Sequence, residues 1–159
     1  MKRTISVILL AACVFACVFA SACGDGSSEK KLGCTVNELF DKITAVNAEG
    51  DMFPYDADRL ADLGISADLF TEGRFMIPED SAGVETVAFF TAKDAGSANK
   101  IKAALDTFVS DTRIDQKDYN ADNYQVALDA VVKVEGVYVY LVMSPAKDAI
   151  IKVIEDNLK

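Results

Sequence analysis

The sequence predicts an α+β domain in which N-terminal helices precede two units, each made of a β-hairpin and a helix. The units are expected to form a four-stranded antiparallel sheet with helices packed on it. Two observations carry this prediction. Apolar side chains alternate in two pairs of short segments, and each pair is followed by apolar residues at helical spacing. Residues 34–159 are long enough to form one hydrophobic core and are expected to be a single domain.

The first elements are predicted to be helices. The segment Thr35–Glu38 has the pattern of a capping box, in which the threonine hydroxyl and the glutamate carboxylate each accept a backbone N–H. Helical spacing of apolar residues then continues to about Asn47. A shorter second helix is expected to begin after Asp56 and to stop at Gly64.

The first hairpin–helix unit comes next in the chain. Arg74–Ile77 and Val84–Thr91 are predicted strands, joined by the turn-rich segment 78–83. Ser97 is expected to cap the helix after them. Its apolar stripe consists of Ile101, Ala104, Leu105, Phe108 and Val109.

The second unit repeats this order about fifty positions later. Val131–Val134 and Val137–Met143 are predicted strands joined by a two-residue turn, and Ser144 with Pro145 opens a C-terminal helix. Because the two units are weakly similar in sequence, their helices are expected to share one face of the sheet.

The N-terminus has the pattern of a secretory signal. Lys2 and Arg3 precede an apolar run over Ile5–Phe19, and the small residues 20–22 then lead to Cys23. We expect residues 1–22 to be a lipoprotein signal peptide, cleaved before a lipidated Cys23, and residues 23–33 to be a flexible tether. Two alternatives remain open: secretion without acylation after cleavage at the same bond, and an uncleaved membrane helix.

Cys23 is favoured over two earlier cysteines because of the residues on its C-terminal side. Cleavage before Cys13 or Cys17 would leave an apolar stretch as the new N-terminus, whereas Cys23 precedes the polar segment 24–31. The protein is therefore expected on the extracytoplasmic face of the cell membrane. With Cys23 acylated, Cys34 is a lone thiol, and no disulfide is expected to stabilise the domain.

Composition limits the classes of partner. The chain has 16 basic and 25 acidic residues, and the signal carries two of the basic ones. A mature chain with 14 basic and 25 acidic residues repels nucleic acid and anionic lipid, so attachment to the membrane is expected through the lipid anchor alone.

Composition also bears on chemistry. The sequence contains no histidine, which removes the commonest general base and most zinc sites. We predict that the protein is not an enzyme and needs no cofactor. A hydrolase that uses a pair of carboxylates is the alternative.

One acidic segment imitates a calcium-binding loop. Asp118, Asn120, Asp122 and Asp129 offer side-chain oxygens at positions 1, 3, 5 and 12. The loop glycine is replaced by Asn123, so a solvated connection between the two units is the other interpretation. On the first interpretation, the protein would be an accessory lipoprotein that binds a metal or a small solute at 118–129.

The last strand carries two tyrosines on one side. Alternation places Tyr138 and Tyr140 on the face opposite Val139 and Leu141. If the helices cover only the other face, these tyrosines form an open platform for a partner. Otherwise residues 39–43 of the first helix pack there as core.

Three segments resemble a known family. They are Val84–Asp94, the run Asp118–Asn120 together with Tyr124, and Lys133–Leu141. They resemble a family of short Gram-positive-type lipoproteins that contain the domain of unknown function 4358. The resemblance implies a lipid-anchored location and an α+β fold, but no activity and no site residues. The expected role is non-catalytic binding of an envelope protein or a small ligand.

Overall fold

The computed structural model describes residues 30–47 and 51–159. The predicted signal peptide, Cys23 and most of the predicted tether lie outside these residues. Within them, no helix is long and apolar enough to cross a membrane.

The N-terminal helices begin as predicted. Helix α1 spans Val36–Val46, and both hydrogen bonds of its capping box are present, with the Thr35 and Glu38 side chains each accepting the other residue's N–H. Helix α2 spans Ala57–Asp62 and is capped by Asp56. Gly64, with φ of +82°, ends this turn in the left-handed region that glycine tolerates.

Five strands form a single antiparallel sheet in the order β1-β2-β3-β5-β4. The α+β class is confirmed, but the predicted number of four strands is one too low. The strands are β1 Met52–Pro54, β2 Phe70–Pro78, β3 Thr86–Ala92, β4 Val131–Glu135 and β5 Tyr138–Met143. The additional strand, β1, has only three residues and ends in proline, which suits an edge strand and leaves no alternating pattern to detect.

Three further helices complete the domain: α3 Ala95–Gln116, α4 Ala121–Leu128 and α5 Lys147–Asn157. Helix α3 begins earlier than predicted, because the Asp94 carboxylate accepts the Ser97 N–H at 2.7 Å and caps it. Helix α5 begins two residues after Pro145, and the Ser144 hydroxyl accepts the N–H of Ala146.

The helices lie on both faces of the sheet, so the prediction of one shared face is wrong. Helix α3 packs with Ala88, Phe90 and Leu141, whereas α1 and α5 pack with the alternate residues Val87, Phe89 and Val142. The reason is visible in β3 and β5, which are apolar at both odd and even positions and therefore need cover on both sides.

Candidate functional site

The predicted tyrosine platform is not an open surface. Tyr140 is fully buried beneath α1 and α5, with Leu39, Phe40 and Ile43 in the same core cluster. The prediction of an exposed binding site at Tyr140 is therefore wrong, and the alternative, that α1 packs on this face, is correct. Burial raises the pKa of the Tyr140 hydroxyl.

Tyr138 has a different position, at the point where the chain enters the domain. Its hydroxyl accepts the backbone N–H of Leu32 at 3.0 Å, and its ring packs against Phe89 with centroids 5.9 Å apart. Tyr138 is half-buried, so it holds the entering chain in place and offers little surface to a partner.

The predicted calcium loop is a helix. Asn120 is the N-cap of α4, and its side-chain oxygen accepts the N–H groups of Asp122 and Asn123 at 3.0 and 3.1 Å. Asp129 lies at the other end of α4, about 10 Å along the helix axis from Asp122. The four predicted ligands therefore do not converge, and within 30–47 and 51–159 no group of three or more acidic or cysteine side chains is placed to hold a metal ion.

Replacement of Asn120 by alanine should lower the free energy of unfolding by about 1 kcal/mol, because two N–H groups lose their capping acceptor. Urea denaturation measures the free energy of unfolding of the wild type and Asn120→Ala, each with and without added Ca²⁺. Asp118→Ala, in the turn before the cap, is the control with little expected change. A large stabilisation of the wild type by Ca²⁺ that Asn120→Ala removes would restore the loop interpretation.

The chain enters the domain beside the C-terminal end of α5. Leu32 pairs with Leu158 in an antiparallel bridge, and Lys31 and Lys159 exchange two backbone hydrogen bonds. The thiol of Cys34, which is free, lies 3.5 Å from the Asn157 side-chain oxygen. We call this the entry end of the molecule.

A network of four charges fixes the entry end to β4. The Glu135 carboxylate, whose side chain is 8% exposed, binds the ammonium groups of Lys30 and Lys133. Lys133 also contacts Glu155 on α5 at 2.8 Å. Burial raises the pKa of Glu135, but the hydrogen bonds and charges of Lys133 and Lys30 outweigh this and lower it below its ordinary value.

This network predicts a dependence of stability on pH. Because the folded-state pKa of Glu135 is lowered, its contribution is complete above about pH 4.3, the unfolded value, and is lost as pH falls through the folded value. Glu135→Gln should lower the free energy of unfolding by about 1–2 kcal/mol at neutral pH, a figure reduced by the exposure of both lysines. Urea denaturation from neutral to acid pH should show the two proteins converging in acid. A difference that persists unchanged in acid would contradict the assignment.

A small cavity lies between α1 and the β1–β2 edge of the sheet. It has a volume of about 140 Å³ and is lined by both charged and apolar side chains. We call it the Arg74 cavity and define it by Phe40, Asp41, Asp51, Met52, Arg74 and Met76. Helix α1 positions the first two residues, and the short edge strand β1 positions Met52.

A second cavity, of about 220 Å³, lies beside the turn that joins β2 to β3. Tyr55, stacked on Phe75 with centroids 5.1 Å apart, and Phe108 give it aromatic walls. Asp80 and Asp115 are exposed at its rim. We call it the Tyr55 cavity, and the end of the sheet formed by the β2–β3 turn is called the far end.

Arg74 has no predicted role beyond its place in a strand. The signal available in the sequence is a single arginine directly before the apolar residues Phe75–Ile77, where alternation places it on the face opposite Phe75. In the structure, Arg74 is paired with Phe89 across β2 and β3, so its side chain lies on the face covered by α1.

Comparison with known protein families matches residues 45–144 to the family described as Domain of unknown function (DUF4358). No curated protein and no solved structure is detectably similar to this chain. The match covers well over half of the sequence and includes all five strands. The chain therefore belongs to the DUF4358 family, as its resemblance in three segments indicated.

Proposed function

We propose that this protein is an extracytoplasmic lipoprotein, anchored through a lipid on Cys23, whose domain binds a protein or a small ligand without catalysis. The signal-like sequence over residues 1–22 supports the anchor. The proposal depends on one observation: the entry end, where Leu32 pairs with Leu158, lies away from both the Arg74 cavity and the Tyr55 cavity. A lipid attached ahead of Lys30 would hold the entry end towards the membrane and leave the far end accessible.

The length of α5 indicates the distance between the entry end and the far end. The helix begins just beyond the far end of β5 and ends at Asn157, beside the entering chain. Its 11 residues span about 16 Å. The Tyr55 cavity lies at the far end, and the Arg74 cavity opens beside the C-terminal half of α1, where Asn47 contacts Ser144.

The carboxylates that line the two cavities fit a binding role better than a catalytic one. Acid catalysis by a carboxyl group generally needs burial that keeps it protonated, as in glycosidases. Asp41, Asp51, Asp80 and Asp115 are all exposed. Exposed carboxylates at a rim attract cationic groups, and this supports a binding role for the cavities.

The anchor is tested by detergent-phase partitioning of membranes that contain the full-length protein. The wild type should enter the detergent phase, and Cys23→Ser should remain aqueous. Cys34→Ser is the matched control and should behave as the wild type does, because Cys34 belongs to the folded domain. If wild type and Cys23→Ser partition alike, the proposed lipid anchor is wrong.

A further inference from the structure

The guanidinium of Arg74 has an unusual setting on β2, the strand next to the edge strand β1. It lies on the face covered by α1 and α5, half-buried, with its Cζ 5.5 Å from the centre of the Phe40 ring. Among residues 30–47 and 51–159, no carboxylate lies within 4.0 Å of it and no side chain or backbone acceptor bonds to it. A planar guanidinium so placed presents a fork of N–H donors that matches a carboxylate.

Two negative charges stand at the rim of the same cavity. Asp41 projects from α1 and Asp51 precedes β1, and both are exposed. The other polar side chains there are already engaged: Asn47 contacts Met52 and Ser144, and Thr44 donates to the Phe40 carbonyl. Within the described residues, the side chains of this cavity that have neither a hydrogen bond nor an ion pair are therefore one cation on the wall, Arg74, and two anions at the rim, Asp41 and Asp51.

The rest of the lining is apolar. Phe40, Met52 and Met76 contribute an aromatic ring and two flexible thioethers, which adapt to the shape of a short apolar group. The volume of about 140 Å³ is close to that of a cavity of about 150 Å³ that accommodates benzene. A cavity of this size encloses a short apolar side chain, and the charged groups of such a ligand must then lie close together at its opening.

We infer that the Arg74 cavity binds a free α-amino acid with an apolar side chain. Its carboxylate pairs with the Arg74 guanidinium, its ammonium group lies towards Asp41 and Asp51, and its side chain packs against Met52 and Met76. This inference rests on the proposed binding function and gives it a ligand class. A simple anion would be repelled by the rim carboxylates, and a simple cation by Arg74.

The test is calorimetric titration of the full-length protein in detergent with L-leucine and L-methionine. Two single-charge analogues, 4-methylpentanoate and isopentylamine, serve as comparison ligands. We expect the amino acids to bind and each analogue to bind at least about 10-fold more weakly, because each loses a charge-assisted contact. Arg74→Gln should weaken amino-acid binding by about 10- to 100-fold. Arg59→Gln is the matched control, since Arg59 stacks on Tyr55 outside this cavity and should leave the affinity unchanged.

Asp51→Asn is a second variant on an exposed rim position, so it should fold even if Arg74→Gln does not. It should weaken binding of the amino acid but not of 4-methylpentanoate. The inference is overturned if neither amino acid binds, if Arg74→Gln folds and binds as well as the wild type, or if 4-methylpentanoate binds equally. The Cys23→Ser partitioning result is independent of these outcomes, so failure of the ligand assignment and failure of the anchor are distinguishable.

Discussion

Replacement of Phe89 by alanine is expected to lower the free energy of unfolding by about 3–5 kcal/mol, as much as replacement of Phe90. The two residues are neighbours on the central strand β3, and both are 0% exposed. Phe90 packs in the core formed with α3, whereas Phe89 packs in the core formed with α1 and α5. The two substitutions are expected to lower the free energy of unfolding equally, because helices cover both faces of the sheet.

Urea denaturation of Phe89→Ala, Phe90→Ala and the wild type measures these costs. Ile114→Ala, on α3 but 70% exposed, is the control and should change stability by less than about 0.5 kcal/mol. If Phe89→Ala were nearly as stable as the wild type, the face that contains Tyr140 would be open to solvent. The tyrosine platform expected from the sequence would then be restored.

Replacement of Gly73 by alanine is expected to have the second largest effect and to lower the free energy of unfolding by about 1–3 kcal/mol. Gly73 lies directly opposite Phe90 in the register of β2 and β3. A Cβ atom at Gly73 would stand 2.2 Å from Cδ1 of Phe90, so the ring must leave its position in the core. The phenylalanine covers the glycine backbone, and the pair acts as one packing unit.

The double variant Gly73→Ala/Phe90→Leu isolates this contact. Because the smaller leucine leaves room for the new methyl group, Gly73→Ala should lower the free energy of unfolding less in the Phe90→Leu background than in the wild type. Gly33→Ala is the control, since a Cβ there meets only Asn157 O at 3.4 Å. Strict additivity in the double variant would show that the clash with Phe90 is not the cause of the loss.

Local signals in the sequence predicted much of the fold because they act over a few residues. The capping box at Thr35 and the two-residue turn before Val137 are settled by hydrogen bonds or backbone angles within one turn. The placement of α3 and α5 on opposite faces depends on tertiary packing. The apolar pattern of Val87–Phe90 contained that information, but the apparent repeat favoured a shared face.

The candidate site was harder to predict from the sequence than the fold was. Asp118–Asp122 matched a ligand spacing, but in the structure Asn120 caps α4, because the first backbone N–H groups of that helix need an acceptor. The Arg74 cavity joins residues from α1, β1 and β2, and Arg74 is more than thirty positions from Phe40. No local pattern brings such residues together.

In the proposed orientation, attachment and binding are separated along the direction of the strands. Lys30 and Leu32 are bonded to β4, β5 and α5 at the entry end, so an anchor ahead of them would act on a fixed point of the domain. The carboxylates of Glu79, Asp80 and Glu85 gather at the far end, and anionic lipid headgroups would repel them. Both features support the same orientation.

The most direct test of this orientation uses single fluorescent labels on the full-length protein anchored in vesicles that contain a lipid-attached quencher. In a Cys34→Ser background, one variant carries the label at Lys159→Cys, at the entry end, and another at Ser81→Cys, at the far end. Strong quenching is expected at position 159 and weak quenching at position 81. Equal quenching at both positions, or stronger quenching at position 81, would contradict the proposed orientation.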